Sequence, residues 1–255
     1  MLHRGFRGPF TIGEAARALK VDEADARRRL GYLSRRGWLT RVRRGLYLAV
    51  PLESPRSGEW TEDPWIVAVK AFSPCYIGGW SACEHWDLTE QIFRDVVIVT
   101  AREVRTRHVQ LQTMPFVVTA RPADRLFGTR SVWRRDVRVL VSDPSRTIID
   151  VLDDPSLGGG IRHIYGVVRE YIGSQHRDDT RLLEYGDRLG NRTVFKRLGW
   201  LLEILGVDAP LRGACLARRS SGLTKLDPTV SDTGRIVRRW NLRVNVDLPT
   251  GEDHW

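Results

Sequence analysis

With 255 residues, 42% of them hydrophobic and nine tryptophans, the chain is long enough for one large or two ordinary domains and too apolar for extended disorder. Its longest apolar runs, such as residues 96–99 and 139–141, fall far short of the ~20 residues of a membrane-spanning helix, and residues 1–10 lack the apolar centre of a secretion signal. Three cysteines, Cys75, Cys83 and Cys215, form an odd, sparse set that suits a reducing compartment, so a cytoplasmic protein without membrane association is expected. The formal net charge of +10 is unevenly placed: twelve Lys/Arg against four Asp/Glu leave +8 in residues 1–50. Residues 51–100 carry −5, and residues 101–150 carry +5.

In chain order, Thr11-Ile-Gly-Glu14 is a capping box that opens a helix burying Ile12, Ala15, Ala16 and Leu19. Lys20-Val21 is a turn, and Asp22 caps a second helix running to about Arg36. At 100° per residue, Ala26, Leu30 and Leu33 share the inner face of that helix. Ala24, Arg28, Gly31, Tyr32 and Arg35 then face outward, with Arg27 and Arg36 flanking them. Residues 38–42 and 46–50 read as two strands joined by Arg43-Arg44-Gly45, a wing with arginines at its tip. Two helices followed by a basic hairpin predict a winged helix-turn-helix. The DNA contacts expected of it are Arg27, Arg28, Tyr32, Arg35, Arg36, Arg43 and Arg44, because guanidinium groups read guanine edges or hold phosphates. The acidic Asp22, Glu23 and Asp25 suit a helix N-terminus but repel phosphate, which moves expected base contacts to the middle of the helix.

Residues 51–62, rich in Pro, Ser and Glu, predict a linker between a domain at 1–50 and a larger one at 63–255. A helix is expected from Asp63-Pro64, then a turn and a short packed helix over 76–86. Strands are expected at 96–100, 108–112, 116–119 and 137–141, and helices at 142–152, 161–172, 180–189, 192–205 and 211–218. Two last strands are expected near 234–237 and 242–246. The pattern is α+β, a mixed sheet flanked by helices behind the winged module. Arg197 and Glu203 are expected to pair, and the basic segments 102–108 and 130–138 read as surface loops or as a second nucleic-acid surface.

Several stretches resemble the AbiEi-type antitoxins of type IV abortive-infection toxin–antitoxin systems. They are Tyr76-Ile-Gly-Gly-Trp-Ser-Ala-Cys-Glu-His-Trp-Asp-Leu-Thr-Glu-Gln-Ile-Phe93, Ser142-Asp-Pro-Ser-Arg-Thr-Ile-Ile-Asp-Val-Leu152, Lys196-Arg-Leu-Gly-Trp-Leu-Leu-Glu203, Leu226-Asp-Pro228, Trp240-Asn-Leu-Arg-Val-Asn245 and the wing Arg44-Gly-Leu-Tyr47. Cys83 stands where a Leu is common in that family and Asp87 where a Gly is common. The resemblance implies a DNA-binding antitoxin that represses its own promoter, usually at inverted repeats, and relieves a nucleotidyltransferase-like toxin, often without a stable complex. It also implies a role in phage defence. A different class remains open: a module that neutralises the toxin through its C-terminal domain without binding DNA.

Catalytic sets are not legible. A phosphate-binding G-x-x-x-x-G-K-[ST] loop, an Asp-x-Asp pair, a Glu-x-Lys and a G-x-S-x-G elbow are all missing from the sequence. Asp22-Glu23-Ala24-Asp25 is helix-start chemistry rather than a helicase box. Cys75, Cys83 and His85 lack the spacing of a zinc site. No enzymatic activity, cofactor or metal is expected.

Overall fold

The computed structural model describes residue 6 and residues 8–50 and 62–248. The chain divides into two compact units. The first comprises Met1–Tyr76, Arg94–Leu126 and Ser131–Leu140, and the second Ile77–Phe93, Phe127–Arg130 and Val141–Trp255. Residues 51–61, most of the expected linker, lie outside the described residues.

The first unit opens with strand β1 (Phe10–Thr11), helices α1 (Ile12–Leu19) and α2 (Glu23–Arg35), and strands β2 (Leu39–Arg43) and β3 (Leu46–Ala49). The capping box forms: the Glu14 N–H donates to Thr11 Oγ1 at 3.2 Å, and the Thr11 N–H donates to Glu14 Oε2 at 2.7 Å. Such a cap contributes about 1 kcal/mol. Lys20, left-handed at φ 54°, ends α1 by donating to the Ala16 and Arg17 carbonyls. Asp22 caps α2 through the Asp25 N–H at 2.7 Å. Phe10, Ala15, Leu30, Leu39 and Tyr47 close the small core between the helices and the sheet. That sheet has the order β1-β3-β2, and its ladder is irregular between Arg41 and Arg43. The bulge carries Arg43 to the end of β2 instead of into the turn, which is left to Arg44 and Gly45. Only Gly45, at φ 81°, supplies the left-handed backbone there.

Helix α3 (Pro64–Phe72) follows, capped by Asp63 with Pro64 in its first turn as the sequence predicts. A larger mixed sheet has the order β6-β7-β5-β4-β9-β8, from β4 (Cys75–Ile77), β5 (Val96–Thr100), β6 (His108–Leu111), β7 (Met114–Ala120), β8 (Thr129–Arg134) and β9 (Val137–Ser142). β5 is buried along its whole length and runs parallel to β7, while β6 runs antiparallel to β7. The expectation of loops at 130–138 is corrected, since β8 and β9 occupy most of that stretch. The arginines of β8 are compatible with its edge position. Guanidinium groups of the stretch reach aromatic and carboxylate partners while the backbone pairs on one side.

In the second unit, α4 (Gly79–His85), α5 (Pro144–Asp153), α6 (Ile161–Gly173), α7 (Asp179–Leu189), α8 (Thr193–Ile204) and α9 (Ala209–Arg218) share a large apolar core. A three-stranded sheet of order β10-β12-β11 joins them, made from β10 (Thr224–Lys225), β11 (Arg235–Val237) and β12 (Leu242–Val244). The motif around residue 199 is a packing device: Gly199 lies so close to the buried Trp240 ring that a Cβ there would sit 2.1 Å from it. The expected Arg197–Glu203 pair does not form. Arg197 is buried and donates to the carbonyls of Leu226 at 2.9 Å and Leu152 at 2.6 Å. Glu203 accepts instead from the Trp240 indole at 3.0 Å and pairs with Arg239 at 3.2 Å.

All three thiols are free and buried. Burial pushes Cys75 up to about 11 and Cys215 up to about 12, and raises Cys83 as well. A thiol reagent at pH 8 is therefore expected to modify none of them in the native protein and all three after guanidinium unfolding. Cys75 belongs to the first unit, Cys83 and Cys215 to the second, so the labelling order also reports which unit opens first.

Candidate nucleic-acid interface

Helix α2 packs Ala26 and Leu30 inward without exposure. This phase leaves Arg27, Arg28, Tyr32, Arg35 and Arg36 exposed. Tyr32 is 51% exposed, and the Arg36 guanidinium lies 5.5 Å above its ring, so the two form one aromatic-cationic patch. A Cβ on Gly31 would meet nothing within 4 Å. Packing among the described residues therefore does not account for the missing side chain. Arg28, whose side chain is 79% exposed, donates to Asp25 at 3.3 Å, and Arg29 pairs with the same carboxylate at 2.8 Å. Ion pairs this exposed contribute little, about 0–1 kcal/mol, and exchange readily for another anion.

The wing differs from its sequence reading at one residue. Arg44 is exposed in the turn, whereas Arg43 is half-buried, its guanidinium 5.7 Å above the Phe72 ring at the end of α3. Burial, and then the nearby Arg102 charge, lower the pKa of Arg43. Six of the seven expected residues thus lie exposed on α2 and the turn, and Arg43 sits deeper. Exposed Arg29, Arg41 and Trp38, the last 61% exposed, were not among the expected contacts. Alternation along β2, with Leu39 and Val42 buried, was the available signal for Arg41.

The other candidates have internal partners. Arg134 stacks on Trp65 at 4.3 Å, Arg135 holds Glu62, whose side chain is 1% exposed, at 2.9 Å, and Arg138 donates to Ser131 Oγ at 2.7 Å. Removing Arg135 would leave a carboxylate buried, so its first task is structural. In the second unit His163 lines a cavity of about 400 Å³ with Thr89 and Glu170. Its Nδ1 is 2.7 Å from the Gly158 carbonyl and its Nε2 2.7 Å from Thr89 Oγ1. A carbonyl only accepts, so Nδ1 carries the proton and Nε2 accepts from the threonine hydroxyl. Burial lowers the pKa of this ring, and the arrangement fastens residue 89 to α6. A second cavity, of about 360 Å³, lies at the start of α6, where Asp227 already accepts the Ile161 N–H at 2.9 Å. Among the described residues no group of three or more His, Cys, Asp or Glu side chains is placed to hold a metal ion. No helix among them is long and apolar enough to cross a membrane.

Two helices, a wing and an outward arginine surface define the class of winged helix-turn-helix modules found in DNA-binding regulators. Residues 1–50 match the family described as transcriptional regulator, AbiEi antitoxin. The match covers the winged module, and in it the chain is similar to a family of regulators rather than of enzymes. No curated protein matches the chain.

Proposed function

We propose that the protein is an antitoxin that binds double-stranded DNA at its own promoter, at inverted repeats, and represses the operon encoding it and a nucleotidyltransferase-like toxin. In this reading residues 1–50 bind the operator through Arg27, Arg28, Tyr32, Arg35, Arg36, Arg43 and Arg44, and residues 63–255 counteract the toxin. The observation that carries it is the phase of α2: the inner face is sealed by Ala26 and Leu30, and the cationic face points out beside a wing. The match of residues 1–50 to a regulator family supports it.

Arg28→Ala is expected to cost about 1–3 kcal/mol in operator affinity and to relax specificity at one base pair. Fluorescence anisotropy against duplexes substituted one position at a time checks this. A uniform loss over all sequences would make Arg28 a phosphate contact instead. The acidic first turn of α2, where Asp25 engages two arginines, favours keeping the second reading, an interaction module that does not bind DNA. A chain starting at Glu59 that protects cells fully, together with no promoter footprint from the intact protein, would establish that alternative.

A further inference from the structure

We propose that Arg102 joins Arg43 in a phosphate-binding pair, so that the DNA-contacting surface continues past the winged module onto the loop after β5. This rests on the DNA-binding reading above. The argument starts from where the two guanidinium groups are anchored. Arg43 ends β2 and lies over Phe72, the last residue of α3. Arg102 donates through Nε to the carbonyl of Ser73, the next residue in the chain. Two cations from distant parts of the sequence are thus seated on consecutive residues.

The seat of Arg102 is fastened at several points. Thr100 Oγ1 donates to the Phe72 carbonyl at 2.6 Å, the Arg102 N–H donates to Thr100 Oγ1 at 3.0 Å, and the Ala101 N–H donates to the Pro74 carbonyl at 2.9 Å. With Nε engaged, the two terminal nitrogens of Arg102 remain as a planar fork on an exposed side chain. A fork held in place loses little conformational entropy on binding, and it matches two oxygens of a phosphodiester.

Neither guanidinium has a carboxylate within ion-pair distance among the described residues, and Glu103, next along the chain, is exposed and pairs with neither. Arg134, Arg135 and Arg138, by contrast, are engaged with Trp65, Glu62 and Ser131. Two like charges held near each other are mutually destabilising, as the lowered pKa of Arg43 reflects, after burial. An anion between them removes that repulsion. The wing turn at Arg44-Gly45 directly follows Arg43, so a duplex backbone lying along the wing would bring its phosphates to this pair.

The test uses the full-length protein, a labelled duplex from immediately upstream of its own reading frame, and a scrambled duplex of the same composition. Affinities are measured across a salt series for wild type, Arg102→Ala, Arg102→Lys, Arg43→Ala and the double alanine variant, each with its thermal midpoint recorded. Arg102→Ala is expected to weaken both duplexes roughly tenfold and to flatten the log–log salt slope by about 0.9. Arg102→Lys should retain most of the slope. Because the two arginines hold one phosphate, the double variant should lose no more slope than either single variant, and additive losses would overturn the pairing. Inorganic phosphate, at ionic strength matched with chloride, should compete only weakly if the ligand is a duplex phosphodiester. Strong competition lost in Arg102→Ala would overturn the DNA assignment in favour of a free-phosphate site. An unchanged slope in Arg102→Ala, while Arg28→Ala still weakens binding, would overturn this extension alone. A wild-type protein that binds neither duplex would overturn both readings.

Discussion

Replacing Arg28, Arg35, Arg43 and Arg44 together by alanine is expected to weaken binding to the upstream duplex by on the order of 10³-fold near physiological salt. The log–log salt slope should flatten by about three units. The size follows from counterion release, since Arg35, Arg43 and Arg44 as phosphate contacts account for roughly 0.9 of slope each, while Arg28 reads a base. The fold should survive. Arg28, Arg35 and Arg44 are exposed, and truncating exposed side chains usually changes stability by less than about 0.5 kcal/mol. Arg43 is the exception, because it also covers Phe72. A companion variant that keeps Arg43 therefore separates a lost phosphate contact from a loosened wing. Unchanged affinity in the quadruple variant would remove this surface from the interface.

The second large effect concerns stability. Gly199→Ala is expected to destabilise the second unit by about 3 kcal/mol or more, read as a lower urea midpoint, or to prevent its folding. The new Cβ would lie 2.1 Å and 2.2 Å from Trp240 ring carbons, and the nearest relief is blocked. Trp240 is fully buried, and its indole N–H is held by Glu203. Gly213→Ala, in α9, is the internal control: a Cβ there meets nothing within 4 Å. It should stabilise by up to about 1 kcal/mol through helix propensity alone. If both substitutions behave alike, close packing on Trp240 is not the reason for glycine at 199.

The elements whose starts are fixed by local chemistry were legible from sequence. Thr11 with Glu14, Asp22, Asp63-Pro64 and Asp143-Pro144 each begin a helix where a side-chain oxygen meets free N–H groups, a matter of three or four adjacent residues. The strand Val96–Thr100 was equally plain, being apolar throughout. What escaped is set by partners far away in sequence. Thr129–Arg134 is a strand because it pairs at a sheet edge, although its own residues alternate too weakly to announce it. Arg197 shares a helix with Glu203 but is satisfied by carbonyls of residues 152 and 226. The α2 surface was readable because Ala26, Leu30 and Leu33 fix the helix phase. Arg43 was misplaced because a bulge between Arg41 and Arg43 shifts the turn by one residue, and because Phe72 lies about thirty positions on.

Glu14 links two of these levels through a single carboxyl group. Oε2 accepts from the Thr11 N–H and hydroxyl, and Oε1 accepts from Lys70 of α3 at 3.1 Å. Burial alone would raise its pKa, but the Thr11 N–H and Lys70 outweigh that and hold it below the usual 4.5. A carboxyl depressed in the folded state contributes fully above its unfolded value, and the contribution is lost as pH falls through the folded one. The start of α1 and its tether to α3 are therefore one acid-labile bolt, and a single proton draws it.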